Sequence, residues 1–214
     1  MKTKTVAFSR YLVFAMALSG IVIGLNIAGS HGLASAATGQ KIRSLDDTGL
    51  VPGLSVLYFR KFKARHLKKL PSGEQAVFDG KPGKPIPYLN HAFGKKNVFD
   101  SGTRKLIGMQ MNGFLKLSTT GTYGFKAFAN DGIRIWIDSQ QVADDPEWHA
   151  KGDRYSEPVC IDISKAGWHP MLLRYFQRKG TATLKLYWKR PGDADYSIIP
   201  AEAYAHDPTT VKKK

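Results

Sequence analysis

An all-β fold, an antiparallel β-sandwich or β-barrel, follows from three features of the chain. Apolar and polar residues alternate with period two, most clearly where Ile133, Ile135 and Ile137 interleave with Arg134, Trp136 and Asp138; successive side chains of a strand point to opposite faces, so this pattern marks a strand with one apolar face. Turn-forming residues punctuate such runs at close intervals, as at Asn130-Asp131-Gly132 and Arg178-Lys179-Gly180. Beyond the N-terminal apolar run, no segment of useful length carries a helical period. Short strands separated by frequent turns imply a sandwich or barrel.

The elements follow in order. Residues 1–36 read as an export signal: Lys2, Lys4 and Arg10 lead into the apolar run 11–28, and Ala34-Ser35-Ala36 has the small-x-small pattern that signal peptidase accepts. The alternative is a retained N-terminal membrane anchor, because about 18 apolar residues is the lower limit for spanning a bilayer. A secreted or periplasmic location is expected. Residues 37–52 form a linker or N-terminal arm, 53–206 the β domain, and 207–214 a basic tail. Without the signal, roughly 175 residues remain, enough for one domain with a sizeable core.

Within the domain, 54–59 is a β-branched and aromatic first strand, and 61–70 has mixed, strongly charged character. The Gly- and Pro-rich stretch 71–87 is expected to be a long surface loop. Residues 107–117 make two strands or one strand bent at Asn112-Gly113. Tyr123, Phe125 and Ala127 share one strand face, as do Val159, Ile161 and Ile163. The runs 171–176 and 181–188 are expected to form a hairpin about the 178–180 turn. The single cysteine, Cys160, is expected to be a buried small apolar residue, so no disulfide framework holds the domain.

A formal charge of +15 attracts polyanions. No nucleic-acid-binding motif accompanies it, so an anionic polysaccharide or other glycan is a better partner class, with an envelope protein the alternative. The chain contains no Gly-x-Ser-x-Gly elbow, Gly-rich phosphate loop or His-Glu-x-x-His pair, and is expected not to be an enzyme. Asp144-Asp145-Pro146-Glu147-Trp148 offers carboxylates for a metal and an indole face for a pyranose, but its first reading is a turn with Trp148 anchoring the loop.

The stretch from Tyr123 through Asn130-Asp131-Gly132 to Asp138, with Gln141-Val142, resembles the diagnostic core of the PA-fourteen, or protective-antigen, type of domain. Ala166-Gly167-Trp168, Leu173-Arg174-Tyr175-Phe176-Gln177 and Leu186-Tyr187-Trp188 are similar to its later strands in the same order. This family includes a domain of the anthrax toxin component and the ligand-binding domains of yeast flocculins. The resemblance implies a β-sandwich and a lectin-like carbohydrate-binding module engaged in adhesion. In the sugar-binding members, two consecutive aspartates joined by a cis peptide hold a Ca2+ ion that grips sugar hydroxyls. The matching positions here are Asn130 and Asp131, and a second ligand loop corresponds to Gln177-Arg178-Lys179-Gly180. The resemblance thus implies Asn130, Asp131 and Gln177 as ligand-binding residues, the first two around Ca2+, beside Trp148 from the acidic segment. Asp144 and Asp145 are the alternative metal ligands.

Overall fold

The computed structural model describes residues 40–47 and 49–210; the expected export signal and the last residues of the basic tail lie outside the described residues. Two antiparallel sheets face each other. The first has the order β1 (Val51–Pro52), β14 (Tyr204–His206), β5 (Ile107–Leu117), β11 (Gly167–Gln177), β7 (Ile133–Ile137) and β8 (Gln140–Asp145), with β2 (Ser55–Arg60) also on β5 and β3 (Lys81–Pro82) on β2. The second has the order β10 (Val159–Ile163), β6 (Gly121–Asn130), β12 (Ala182–Lys189) and β13 (Ser197–Ile198); β4 (Asn90–Gly94) pairs with β12 and β9 (Arg154–Tyr155) with β6. Among the described residues no helix is long and apolar enough to cross a membrane.

The core fills the space between the sheets. Met109, Met111, Met171, Leu173, Tyr175 and Ile135 come from the first sheet, and Tyr123, Phe125, Ala127, Leu184, Leu186 and Trp188 from the second. The period-two face expected from Tyr123, Phe125 and Ala127 is the inner face. β11 is buried at every position because the first sheet is covered on its outer side as well. There Phe176 packs with Phe62, Leu67 and Leu70, and Leu172 with Trp136. The buried Arg174 guanidinium on that outer side donates to the carbonyls of Leu70 and Pro71, which ties the covering segment down.

Four expectations change. The runs around 178–180 are not a hairpin: β11 pairs with β5 and β7, while β12 pairs with β6, β4 and β13, so the turn carries the chain from one sheet to the other. Two apolar strands with a short break give the same sequence signal in either arrangement. The 71–87 stretch contains a short helix, α1 (Gly73–Asp79), and β3. Seven helical residues that bury only Ala76 are too few to print a period. Residues 107–117 form one continuous strand. Gly113 does not bend it; β2 ends and β14 begins along the same edge of β5 there, and a Cβ at Gly113 would lie 2.3 Å from the Ala205 carbonyl oxygen and 2.7 Å from Leu54 Cδ2. Cys160 is exposed, since it shares the outward face of β10 with Asp162 while Ile161 and Ile163 point in.

Candidate ligand-binding site at the crossover end

Three sheet-to-sheet crossovers meet at one end of the sandwich. They are the 130–132 turn from β6 to β7, the 146–153 loop from β8 to β9, and the 178–181 turn from β11 to β12. A backbone pair stitches the first to β11: the Asp131 N–H donates to the Phe176 carbonyl at 3.0 Å, and the Phe176 N–H to the Gly132 carbonyl at 3.0 Å. Gly132 is required by close approach, since a Cβ there would lie 2.4 Å from the Phe176 ring.

Asp131 joins all three crossovers. Its carboxylate is fully buried and accepts the His149 backbone N–H at 3.1 Å through one oxygen and the Arg178 backbone N–H at 2.7 Å through the other. Burial pushes the carboxyl above the usual carboxylate range, against the opposing pull of the Arg178 and His149 amides. The peptide between Asn130 and Asp131 is cis. Asn130 Nδ2 donates to the Thr181 carbonyl at 2.7 Å, whereas its Oδ1 is buried without a partner. Gln177, also fully buried, donates through Nε2 to the carbonyls of Lys179 at 2.7 Å and Thr181 at 3.2 Å. Asn130, Asp131 and Gln177 therefore converge, and they fix the shape of the 178–181 turn.

Trp148 sits beside this group, half-buried against the outer cluster of the first sheet. The Arg65 and Arg178 guanidinium carbons lie 4.9 and 5.7 Å from its ring centroid. Arginines that flank an indole compete with a sugar for its faces. Asp144 and Asp145 do not come together, because neighbouring strand positions face opposite ways. Asp144 takes Arg134 Nε at 2.6 Å, while the buried Asp145 takes Arg154 Nε at 2.6 Å and lies 2.9 Å from His149 Nε2. Burial alone would raise the Asp145 carboxyl, but Arg154 and His149 outweigh it and bring it down to about 2.

A Ca2+ ion takes six to eight oxygens, favouring carboxylates. Around Asn130 the side chains offer the one unpartnered amide oxygen and the Asp131 carboxylate, whose two oxygens already accept amides. The adjoining turn supplies Arg178 and Lys179 and no carboxylate. No group of three or more His, Cys, Asp or Glu suited to a metal occurs among the described residues. These side chains by themselves supply fewer oxygens than a Ca2+ shell takes.

The turn instead forms one wall of a cleft of about 530 Å3, lined by Lys179, Gly180 and Thr181 on one side and by Lys95, Arg104, Lys105 and Leu106 on the other. The Leu106 N–H donates to the Arg178 carbonyl at 3.2 Å and joins the walls. Lys95, Arg104 and Lys105 were not legible as site residues. They belong to the segment between β4 and β5, and their only sequence signal is membership of a dispersed basic population. A smaller cleft of about 250 Å3 lies at the opposite end, near Thr119, Tyr123 and Trp188; its Arg190 is paired with Asp193.

The sequence profile described as the PA14 domain matches residues 50–202. The anti-sigma-I factor RsgI3 of Acetivibrio thermocellus is 21% identical over 122 residues, which is 56% of this chain and 18% of that protein, so the chain spans only a small part of its relative. The solved structure of an anti-sigma factor domain-containing protein superposes with a TM-score of 0.59 at 16% identity, covering 76% of this chain and 50% of the other. The Epithelial Adhesin 6 A domain of Candida glabrata, solved with Galβ1-3GlcNAc, superposes with a TM-score of 0.53 at 15% identity, covering 77% of this chain and 91% of that one. At these identities the structural likeness speaks to the fold.

Proposed function

The chain belongs to the PA14 domain family, and from that premise we propose that it is a non-catalytic module that binds glycans outside the cytoplasm, without a metal ion. The observation that carries this reading is the cleft at the crossover end, whose turn 178–181 is held by Asp131 and Gln177. Loops fixed by a rigid sandwich are where binding sites are built. The adhesin relative carries a bound disaccharide, as its name states. Hydrolysis by a carboxylate pair is disfavoured by the commitments of the carboxylates. Asp131 is sealed by backbone amides, Asp144 and Asp145 are held by arginines, and Asp153 accepts the Thr183 hydroxyl at 2.6 Å.

A protein-contacting role is the second reading, favoured by Val77 and Phe78 of α1, which are 51% and 80% exposed. A glycan array probed with the purified chain in the presence and absence of a chelator separates the two. Reproducible glycan signals that survive the chelator support the proposal. A blank array together with an envelope protein captured through Phe78, and released by Phe78→Ser, overturns it.

A further inference from the structure

We propose that the cleft between the 178–181 turn and the segment before β5 is an oxyanion subsite, so that the ligand is an acidic glycan bearing carboxylate, sulfate or phosphate groups; this rests on the glycan-binding reading above. Lys95, Arg104, Lys105 and Lys179 line it, all exposed, and none of them takes part in an ion pair among the described residues. Elsewhere Arg43 pairs with Asp47 and Asp207, Arg134 with Asp144, Arg154 with Asp145 and Arg190 with Asp193, while no lysine among the described residues is in an ion pair; what sets the cleft apart is that four such cations line one concavity. Four unmatched cations converging on one concavity raise the local concentration of anions.

The turn that forms one wall of the cleft is held in a defined shape. The carbonyls of Lys179 and Thr181 are turned inward to accept Gln177 Nε2, and Thr181 accepts Asn130 Nδ2 as well. Those acceptors are therefore engaged behind the turn and do not compete for the lysine and arginine head groups at its front. Arg104 presents a planar fork suited to a carboxylate, sulfate or phosphate, and the lysines act as point charges around it. Single-stranded nucleic acid is a poorer match, because its bases need aromatic faces for stacking and none lines this cleft.

The test compares two triple variants of equal charge. One removes cleft cations, Arg104→Gln, Lys105→Gln and Lys179→Gln. The other removes exposed lysines outside it, Lys41→Gln, Lys81→Gln and Lys165→Gln. Both are titrated with polygalacturonate, dextran sulfate, neutral dextran and oligothymidylate, at two salt concentrations and with chelator. Polygalacturonate and dextran sulfate are expected to bind the unaltered chain, more weakly at high salt. The cleft variant is expected to lose about tenfold in affinity and the control less than about threefold, on the scale of exposed ion pairs. The ratio between polygalacturonate and dextran sulfate identifies the preferred oxyanion. Equal losses in both variants would overturn the proposal in favour of a diffuse field. So would tighter binding of oligothymidylate than of either acidic polysaccharide. A neutral glycan found on the array and bound equally by the cleft variant defeats the oxyanion subsite while leaving glycan binding intact; a blank array removes both.

Discussion

Replacing Asp131 by alanine should unfold this domain more readily, because the carboxylate is the common acceptor for two crossovers besides its own. Asp131→Ala leaves the buried His149 N–H and the part-buried Arg178 N–H without their partner. An unsatisfied buried donor costs about 1–3 kcal/mol. Because the Arg178 donor is only part-buried, the two together cost at most about 2–6 kcal/mol, from which relief of burying a charge, visible in the raised carboxyl pKa, must be subtracted. A loss of about 3 kcal/mol is expected. In a domain of this size that lowers the melting temperature by about 6–12 °C. Asp131→Asn keeps one acceptor oxygen but turns an NH2 group toward the other amide, so it should fall between wild type and alanine. Urea titration at neutral pH, with thermal melting as a second readout, measures the series. A loss under about 0.5 kcal/mol for alanine, within the range of an ordinary surface substitution, would show that the carboxylate does not tie the crossovers together.

Three further outcomes follow from other parts of the structure. Asp145 has its carboxyl drawn down to about 2 from an ordinary 3.8, so its ion pair contributes stability above pH ~4 that disappears as the pH falls toward 2. The stability gap between wild type and Asp145→Asn should be about 2 kcal/mol at pH 6 and close toward zero by pH ~2 in denaturant titrations; Asp131, with its carboxyl raised, contributes in the opposite sense and is common to both proteins. Gly113→Ala should cost about 2 kcal/mol or more, because the new methyl meets the Ala205 backbone and not a flexible side-chain tip; a neutral result by thermal melting would contradict the edge packing of β2 and β14 on β5. Cys160 should react with a thiol-selective reagent at close to one equivalent without denaturant, whereas protection until unfolding would restore the buried position expected from its strand.

The inner faces of the sandwich were readable because they depend on local alternation alone. Ile133, Ile135 and Ile137 and the Tyr123, Phe125, Ala127 face lie in the core where their period places them. Sheet membership was not readable. β11 and β12 look like a hairpin in sequence, yet the turn between them crosses the sandwich, and only long-range pairing with β5, β7 and β6 decides that. Cys160 illustrates a weaker failure, where an apolar residue type outweighed the parity of its position between Val159 and Ile161. At the site, the resemblance located Asn130, Asp131 and Gln177, which do converge. It carried no information about Lys95, Arg104 and Lys105, which reach the same cleft from a segment remote in sequence. Residue type alone also joined Asp144 to Asp145, although strand parity turns them apart onto Arg134 and Arg154.

Backbone amide shifts in a 15N-labelled sample, titrated with an oligogalacturonide in chelator, place the ligand on the molecule. Binding at the crossover end should move Arg104, Lys105, Lys179, Gly180 and Thr181 together and saturably, with the amides of Thr119 and Trp188 at the other end unchanged. Shifts that cluster around Thr119 and Trp188, that follow only Val77 and Phe78, or that appear only when Ca2+ is supplied would show that the cleft is not the binding site described above.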